Sequence, residues 1–161
     1  KLAFNMKTHN ILSIDKFKTN IGINSRLLGI DPGKKNVGIA ICDENRIVAT
    51  PLKIIQKVKF ETIIKEINEI INENAIKGII VGNPINMDGT SGKSSQSALD
   101  FCKNLSKNIT IPITLWDERL SSTGSFKISS ELGINTSKKV KNLDKNAAAF
   151  ILQGAIDFFT N

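Results

Sequence analysis

Two short apolar runs in this chain end in acids. Leu27-Leu-Gly-Ile30 leads into Asp31, and Thr114-Leu-Trp116 leads into Asp117-Glu118-Arg119. Read as strands of an α/β sheet, both runs deliver carboxylates to strand ends, where such sheets hold their ligands. A third acid, Asp144, opens the last amphipathic stretch and precedes Ala147, Ala148, Ile151 and Ala155 at helical spacing, so it projects toward the sheet. Carboxylates converging from two strand ends and one helix start make a divalent-cation site of the kind that stabilises the attacking and leaving oxygens of phosphodiester hydrolysis. Each acid alone also suits a structural duty. Asp31 before Pro-Gly can initiate a turn, Asp117-Glu118-Arg119 can form a surface ion-pair cluster, and Asp144 can cap a helix.

Composition narrows the chemistry further. The chain has 161 residues with one histidine, His9, which precedes any periodic pattern. A Ser-His-Asp or Cys-His enzyme would have to draw its base from that segment. Two cysteines without CxxC spacing, Cys42 and Cys102, and one remote histidine assemble no tetrahedral zinc set. Metal chemistry must therefore use oxygen ligands and a hard ion such as Mg²⁺ or Mn²⁺. The net charge of +7 suits a phosphate-bearing partner, although solvated lysines alone produce the same number. No apolar run approaches the roughly 18–20 residues of a membrane span, no secretory pattern is present, and unpaired cysteines suit a reducing compartment. The expectation is a cytoplasmic protein without a membrane partner.

The elements that must position these acids follow from periodicity. Residues 1–25 lack a sustained pattern, carry Lys1, Lys7, Lys16 and Lys18 against Asp15, and read as an N-terminal extension, partly ordered. Residues 26–161 read as a single domain. Within it, residues 26–31, 37–42 and 46–50, the last stopped near Pro51, form a three-stranded antiparallel meander. Phe60, Ile63, Ile64, Ile67, Ile70 and Ile71 mark a helix over about 58–74. A buried strand over 77–81, a loop over 82–93, a helix carrying Ala98, Leu99, Cys102 and Leu105, and a fifth strand over 111–116 follow. Residues 120–143 are poorly patterned, with a short helix expected around 121–131 before the helix that Asp144 opens. The order predicts an α/β fold with a five-stranded mixed sheet, three strands antiparallel and two parallel, flanked by helices.

The loop Gly89-Thr-Ser-Gly-Lys-Ser94 has the strand-before, helix-after setting of a phosphate-binding P-loop, but Met87 stands where the motif requires its first glycine. The Walker reading is rejected. Lys93 and Ser94 at a helix start still suit a nucleic-acid phosphate.

Four ordered blocks resemble one family. Leu28-Gly-Ile-Asp-Pro-Gly33-Lys34-Lys-Asn-Val-Gly38-Ile-Ala40, Val81-Gly-Asn-Pro84-Ile-Asn86-Met-Asp-Gly89-Thr, Leu115-Trp-Asp-Glu-Arg119-Leu-Ser-Ser122 and Asp144-Lys-Asn-Ala-Ala148-Ala-Phe-Ile-Leu-Gln153 are similar to the YqgF-type proteins, the RuvX-like relatives of Holliday-junction resolvases. The resemblance implies an RNase H-like fold and a metal-dependent nuclease that trims the 5′ end of pre-16S rRNA in ribosome biogenesis. It implies that Asp31, Asp117 and Asp144 are the catalytic, metal-holding acids, with Glu118 as an additional acid and Mg²⁺ or Mn²⁺ as cofactor. Lys34, Lys35, Asn83, Lys93 and Arg119 are the implied nucleic-acid contacts. The extension is longer than the family usually has, and Asn36 stands where many relatives carry a basic residue. Two alternatives remain at this level: a Holliday-junction resolvase acting on branched DNA, and a non-catalytic RNA-binding module with the same fold. The chain acts as a monomer or a homodimer.

Overall fold

The computed structural model describes residues 10–84, 88–89, 92–120 and 143–160; of residues 143–145 it describes the backbone. In chain order the elements are β1 (Ile11–Leu12), α1 (Ile14–Ile21), β2 (Arg26–Pro32), β3 (Asn36–Cys42), β4 (Ala49–Gln56), α2 (Phe60–Asn74), β5 (Ile76–Asn83), α3 (Lys93–Ser106), β6 (Ile113–Asp117) and α4 (Leu143–Thr160). They build one mixed sheet in the order β1-β6-β5-β2-β3-β4. β2, β3 and β4 form the antiparallel meander, while β5 and β6 add parallel to β2 through the crossovers made by α2 and α3.

Two expectations are corrected. The sheet has six strands rather than five, because residues 10–25 are built into the fold instead of trailing from it. Ile11 and Leu12 pair in parallel with Ile113 and Thr114. Asn10 anchors the junction: its buried Nδ2 donates to the carbonyls of Ile109 at 2.7 Å and Ile111 at 3.0 Å, and its Oδ1 accepts from the Ser106 hydroxyl. Ser13 caps α1 by accepting from the Lys16 N–H, and Phe17 and Ile21 on its inner face are buried. The second correction concerns Pro51, which does not stop its strand. β4 lies at the sheet edge, where a missing N–H costs no ladder bond, and the register slips opposite Ile39 and Ala40 to absorb it. The helix expected at 121–131 lies outside the described residues.

Alternation along the strands sorts the core into two layers. Leu28, Ile30, Val37, Ile39, Ile79, Val81 and Ile113 face α2 and α3, where Ile63, Ile67, Phe101, Cys102 and Leu105 meet them. Leu27, Ala40, Cys42, Ile80 and Trp116 face α1 and α4, meeting Phe17, Ala148, Ile151, Leu152, Ile156 and Phe159. On this second face the strand glycines admit the helices closely. A Cβ on Gly29 would stand 2.7 Å from Leu152 Cβ and 3.0 Å from the Ala148 carbonyl oxygen, and one on Gly78 would stand 2.7 Å from the Phe17 ring. Gly78 pairs with Leu27, and Phe17 packs on Phe159 with ring centroids 6.0 Å apart. α4 therefore descends as β2 ascends, and its first turn lies over the carboxyl ends of the central strands. No described helix is long and apolar enough to cross a membrane.

Candidate active site

Asp31 is the sixth residue of β2 and sits two residues beyond Gly29, so the pleat directs it to the α4 face. Glu118 follows the last residue of β6, two beyond Trp116, and takes the same face. Its carboxyl carbon lies 3.4 Å from the position a Cβ on Gly82 would occupy, and its N–H donates to the Asn83 carbonyl at 3.2 Å. Register explains the meeting: Ile30 is level with Val81, and Gly82 is level with Trp116, so the tips of β2, β5 and β6 end together. Asp31 and Glu118 line the same open cleft, of about 460 Å³, with Pro32, Gly33, Lys34, Lys57, Pro84, Lys93, Ser94 and Ser97.

The two neighbouring strand-end acids have opposite electrostatic states. Burial, followed by the charges of Asp31 and Asp117, pushes the Glu118 carboxyl up to about 7. Asp117 is held below the usual carboxylate range, chiefly by its side-chain hydrogen bonds from Arg119. Arg119 Nε donates to both Asp117 oxygens at 3.0 and 3.1 Å, its Nη2 reaches Oδ2 at 2.7 Å, and its backbone N–H also donates to Oδ1. By alternation from Ile113 and Leu115, Asp117 takes the α2–α3 face, and it does not line the cleft. The structure thus brings Asp31 together with Glu118, the acid expected to be additional, and binds Asp117 to Arg119.

Asp144 has its backbone in the first turn of α4, one helical turn before Ala148. Ala148 packs on Gly29, two residues before Asp31, so the Asp144 backbone is at the level of the strand tips; its side chain lies outside the described residues. Among the described residues no three His, Cys, Asp or Glu side chains group as a metal site. The Asp31–Glu118 pair nevertheless has the donor chemistry that a hard divalent cation requires: oxygen ligands, crowded like charges, and one carboxyl whose ionisation is opposed by its surroundings.

The expected nucleic-acid contacts separate in the same way. Lys34 and Lys93 line the cleft; Lys35 does not, and its carbonyl accepts the Lys57 N–H at 2.8 Å. Asn83 has a structural bond, accepting from the Ser95 hydroxyl at 2.7 Å and so tying the first turn of α3 to the tip of β5. Arg119 is engaged with Asp117. Ser94, expected with Lys93 at a phosphate, lines the cleft, and so do Lys57 and Ser97, which the sequence reasoning did not single out. Lys57 was recognisable only as a lysine just past a strand, and Ser97 only by its spacing of three from Ser94 at a helix start.

Comparison with known proteins bears on the whole fold. The chain is 52% identical over 151 residues to a curated protein of Pelagibacter ubique (strain HTCC1062) named "Putative pre-16S rRNA nuclease", covering 94% of this chain and 100% of that one. A protein of the same name from Rhodobacter capsulatus is 38% identical over 144 residues, covering 89% of this chain and 91% of its own. Among solved structures, the yeast mitochondrial Holliday junction resolvase Ydc2 superposes with a TM-score of 0.53 at 13% identity, covering 91% of this chain and 84% of that chain. T. thermophilus RuvC in complex with a Holliday junction substrate superposes with a TM-score of 0.51 at 13% identity, covering 85% and 96%. These two likenesses identify the fold as RNase H-like. A family model described as RuvX: Holliday junction resolvase matches residues 25–158. With that match, and with such identity along the full length of a curated relative, the chain belongs to the RuvX family of nucleases, hydrolases of phosphodiester bonds.

Proposed function

We propose that this chain is a divalent-metal-dependent nuclease that hydrolyses precursor ribosomal RNA at the 5′ end of 16S rRNA, working in the cytoplasm. One observation carries the reading: Asp31 and Glu118 share one sheet face at the mouth of a cleft whose remaining polar lining is lysine and serine. Relatives named for pre-16S rRNA supply the substrate class.

The chain's own residues divide the work. Asp31 and Glu118 would hold a Mg²⁺ or Mn²⁺ ion, with Asp144 as the third acid; the positive field at the start of α4 favours the ionised form of Asp144. A bound cation would supply Lewis-acid polarisation of the phosphate and a nucleophilic water at neutral pH, so no histidine base would be needed. Glu118, whose ionisation is opposed by burial and by the charges of Asp31 and Asp117, would ionise beside that positive charge. Asp117, paired to Arg119, orients the β6 tip from the opposite face. Lys34 and Lys93 contact backbone phosphates, which positions the strand without reading its sequence.

A resolvase acting on branched DNA is the second reading, favoured by the description of the matching family and by the likeness to RuvC solved with a junction. A cleavage panel of precursor 16S rRNA, unstructured RNA and four-way DNA junctions with Mn²⁺ separates the two. The precursor is expected to be cut, and Asp31→Asn and Glu118→Gln are each expected to lower the rate at least ~100-fold. Preference for four-way junctions would make the chain a resolvase. Salt-sensitive RNA binding without Mn²⁺-dependent cleavage would make it a binding module.

A further inference from the structure

We infer that the cleft holds two consecutive phosphates of one nucleic-acid strand: the scissile one at Asp31 and Glu118, and its neighbour at a second subsite formed by Lys57, Lys93 and Ser97. The inference rests on the nuclease reading above and deepens it. The cleft straddles the ends of the strands. Its acidic wall, Asp31 and Glu118, belongs to the α4 face, whereas Lys93, Ser94 and Ser97 come from the N-terminal end of α3 on the opposite face. Two carboxylates repel a phosphate until a cation neutralises them, but an ammonium group attracts one directly. The two walls therefore take different phosphates, and a strand occupying both crosses over the carboxyl ends of β2 and β5.

Lys57 is the residue that makes the basic wall a site rather than a scatter of surface charge. Its N–H bonds to the Lys35 carbonyl, its Nζ lies 3.5 Å from the Gly33 carbonyl oxygen, and the same Nζ stands 6.0 Å from the centre of the Phe101 ring. The turn after β2 and Phe101 of α3 thus border the exposed Lys57 ammonium, and Lys57 lines the cleft. Lys93 and Ser97 line the same cleft from the N-terminal end of α3.

Binding of a labelled single-stranded RNA, measured by fluorescence anisotropy in EDTA, tests the subsite without turnover. Lys57→Ala is expected to weaken binding ~5–10-fold and to lower the salt slope by about 0.7, the value for one single-strand phosphate contact. Lys57→Arg should restore affinity, and Lys65→Ala, on the exposed side of α2, should change nothing. Asp31→Asn should bind as well as or better than the wild type, because without a cation the carboxylate only repels. A second measurement fixes the register. One neutral methylphosphonate linkage next to the scissile phosphate should lower kcat/KM for the wild type with Mn²⁺ about tenfold, yet leave Lys57→Ala almost indifferent. Equal binding by Lys57→Ala and wild type, or an equal methylphosphonate penalty in both, overturns the subsite. Lys57-dependent binding by a wild type that cleaves nothing overturns the nuclease reading and leaves the subsite standing.

Discussion

Glu118→Gln is expected to stabilise the metal-free protein while removing its activity. The Glu118 carboxyl is pushed from its ordinary 4.5 up to about 7 by burial and by the charges of Asp31 and Asp117. Below pH 4.5 the group is protonated in the folded and unfolded chains and has no effect on stability. Between 4.5 and about 7 the unfolded chain ionises first, so stability falls as the pH rises; above about 7 the loss is complete and constant. At 1.36 kcal/mol for each tenfold change in proton affinity, the full loss is at most about 3 kcal/mol. Glu118 keeps partial contact with water and three lysines line the cleft. Screening therefore reduces the expected value to about 1–2 kcal/mol. For a chain of this length that is roughly 4 °C in melting temperature. Melts in EDTA from pH 4.5 to 8.5 should give nearly coincident values for variant and wild type at the acid end and a separation that widens from about pH 5 and levels off above about pH 7. Added Mn²⁺ should raise the wild-type midpoint and leave the variant's nearly unchanged. A variant that tracks the wild type at every pH, or melts lower at pH 8, would refute the electrostatic account of the site.

Other perturbations probe how the site is held. Asn10→Ala strands the carbonyls of Ile109 and Ile111, so chemical denaturation should report a loss of about 2–3 kcal/mol although residue 10 is remote from the cleft. Gly29→Ala drives a methyl group against Leu152 Cβ and the Ala148 backbone. α4 must then shift, costing about 1–3 kcal/mol in urea titration and lowering kcat more than it raises KM. Arg119→Ala removes what holds the Asp117 carboxyl low. A depressed carboxyl supports folding above its unfolded value of 3.8 and loses that support as the pH falls, so acid-unfolding curves of the variant should lose the corresponding step below pH 4.

The meander, the two crossover helices and the strand-end acids were legible because each is a local pattern: alternation, a helical stripe, or an acid after an apolar run. Three features depended on partners distant in sequence. Phe17 and Ile21 form a helical pair, but Lys16, Lys18 and the shortness of α1 hide it, and β1 is two residues whose only evidence as a strand is its pairing with β6. Pro51 within β4 required knowing that the strand lies at the edge. The choice between Asp117 and Glu118 depends on one step of pleat. Trp116 is buried against α4, so Glu118 two residues on shares its face, but only the alignment of β6 with β5 and β2 puts Asp31 beside it.

The pairing of Ile11 with Ile113 also sets the timing of assembly during synthesis. A ribosome adding roughly 5–20 residues per second needs about 5–20 s to make the chain between these partners. Through that interval β1 has no strand to pair with, and the inner face of α1 has only Leu27 of β2 and Gly78 and Ile80 of β5 to pack on, because β6 and α4 do not yet exist. The cleft is subject to the same delay, since Asp31 is translated early while Glu118 comes only after β6. The nascent chain therefore carries Asp31 and most of its lysines as a basic, metal-indifferent segment, and the acidic wall closes only after Glu118 has been added.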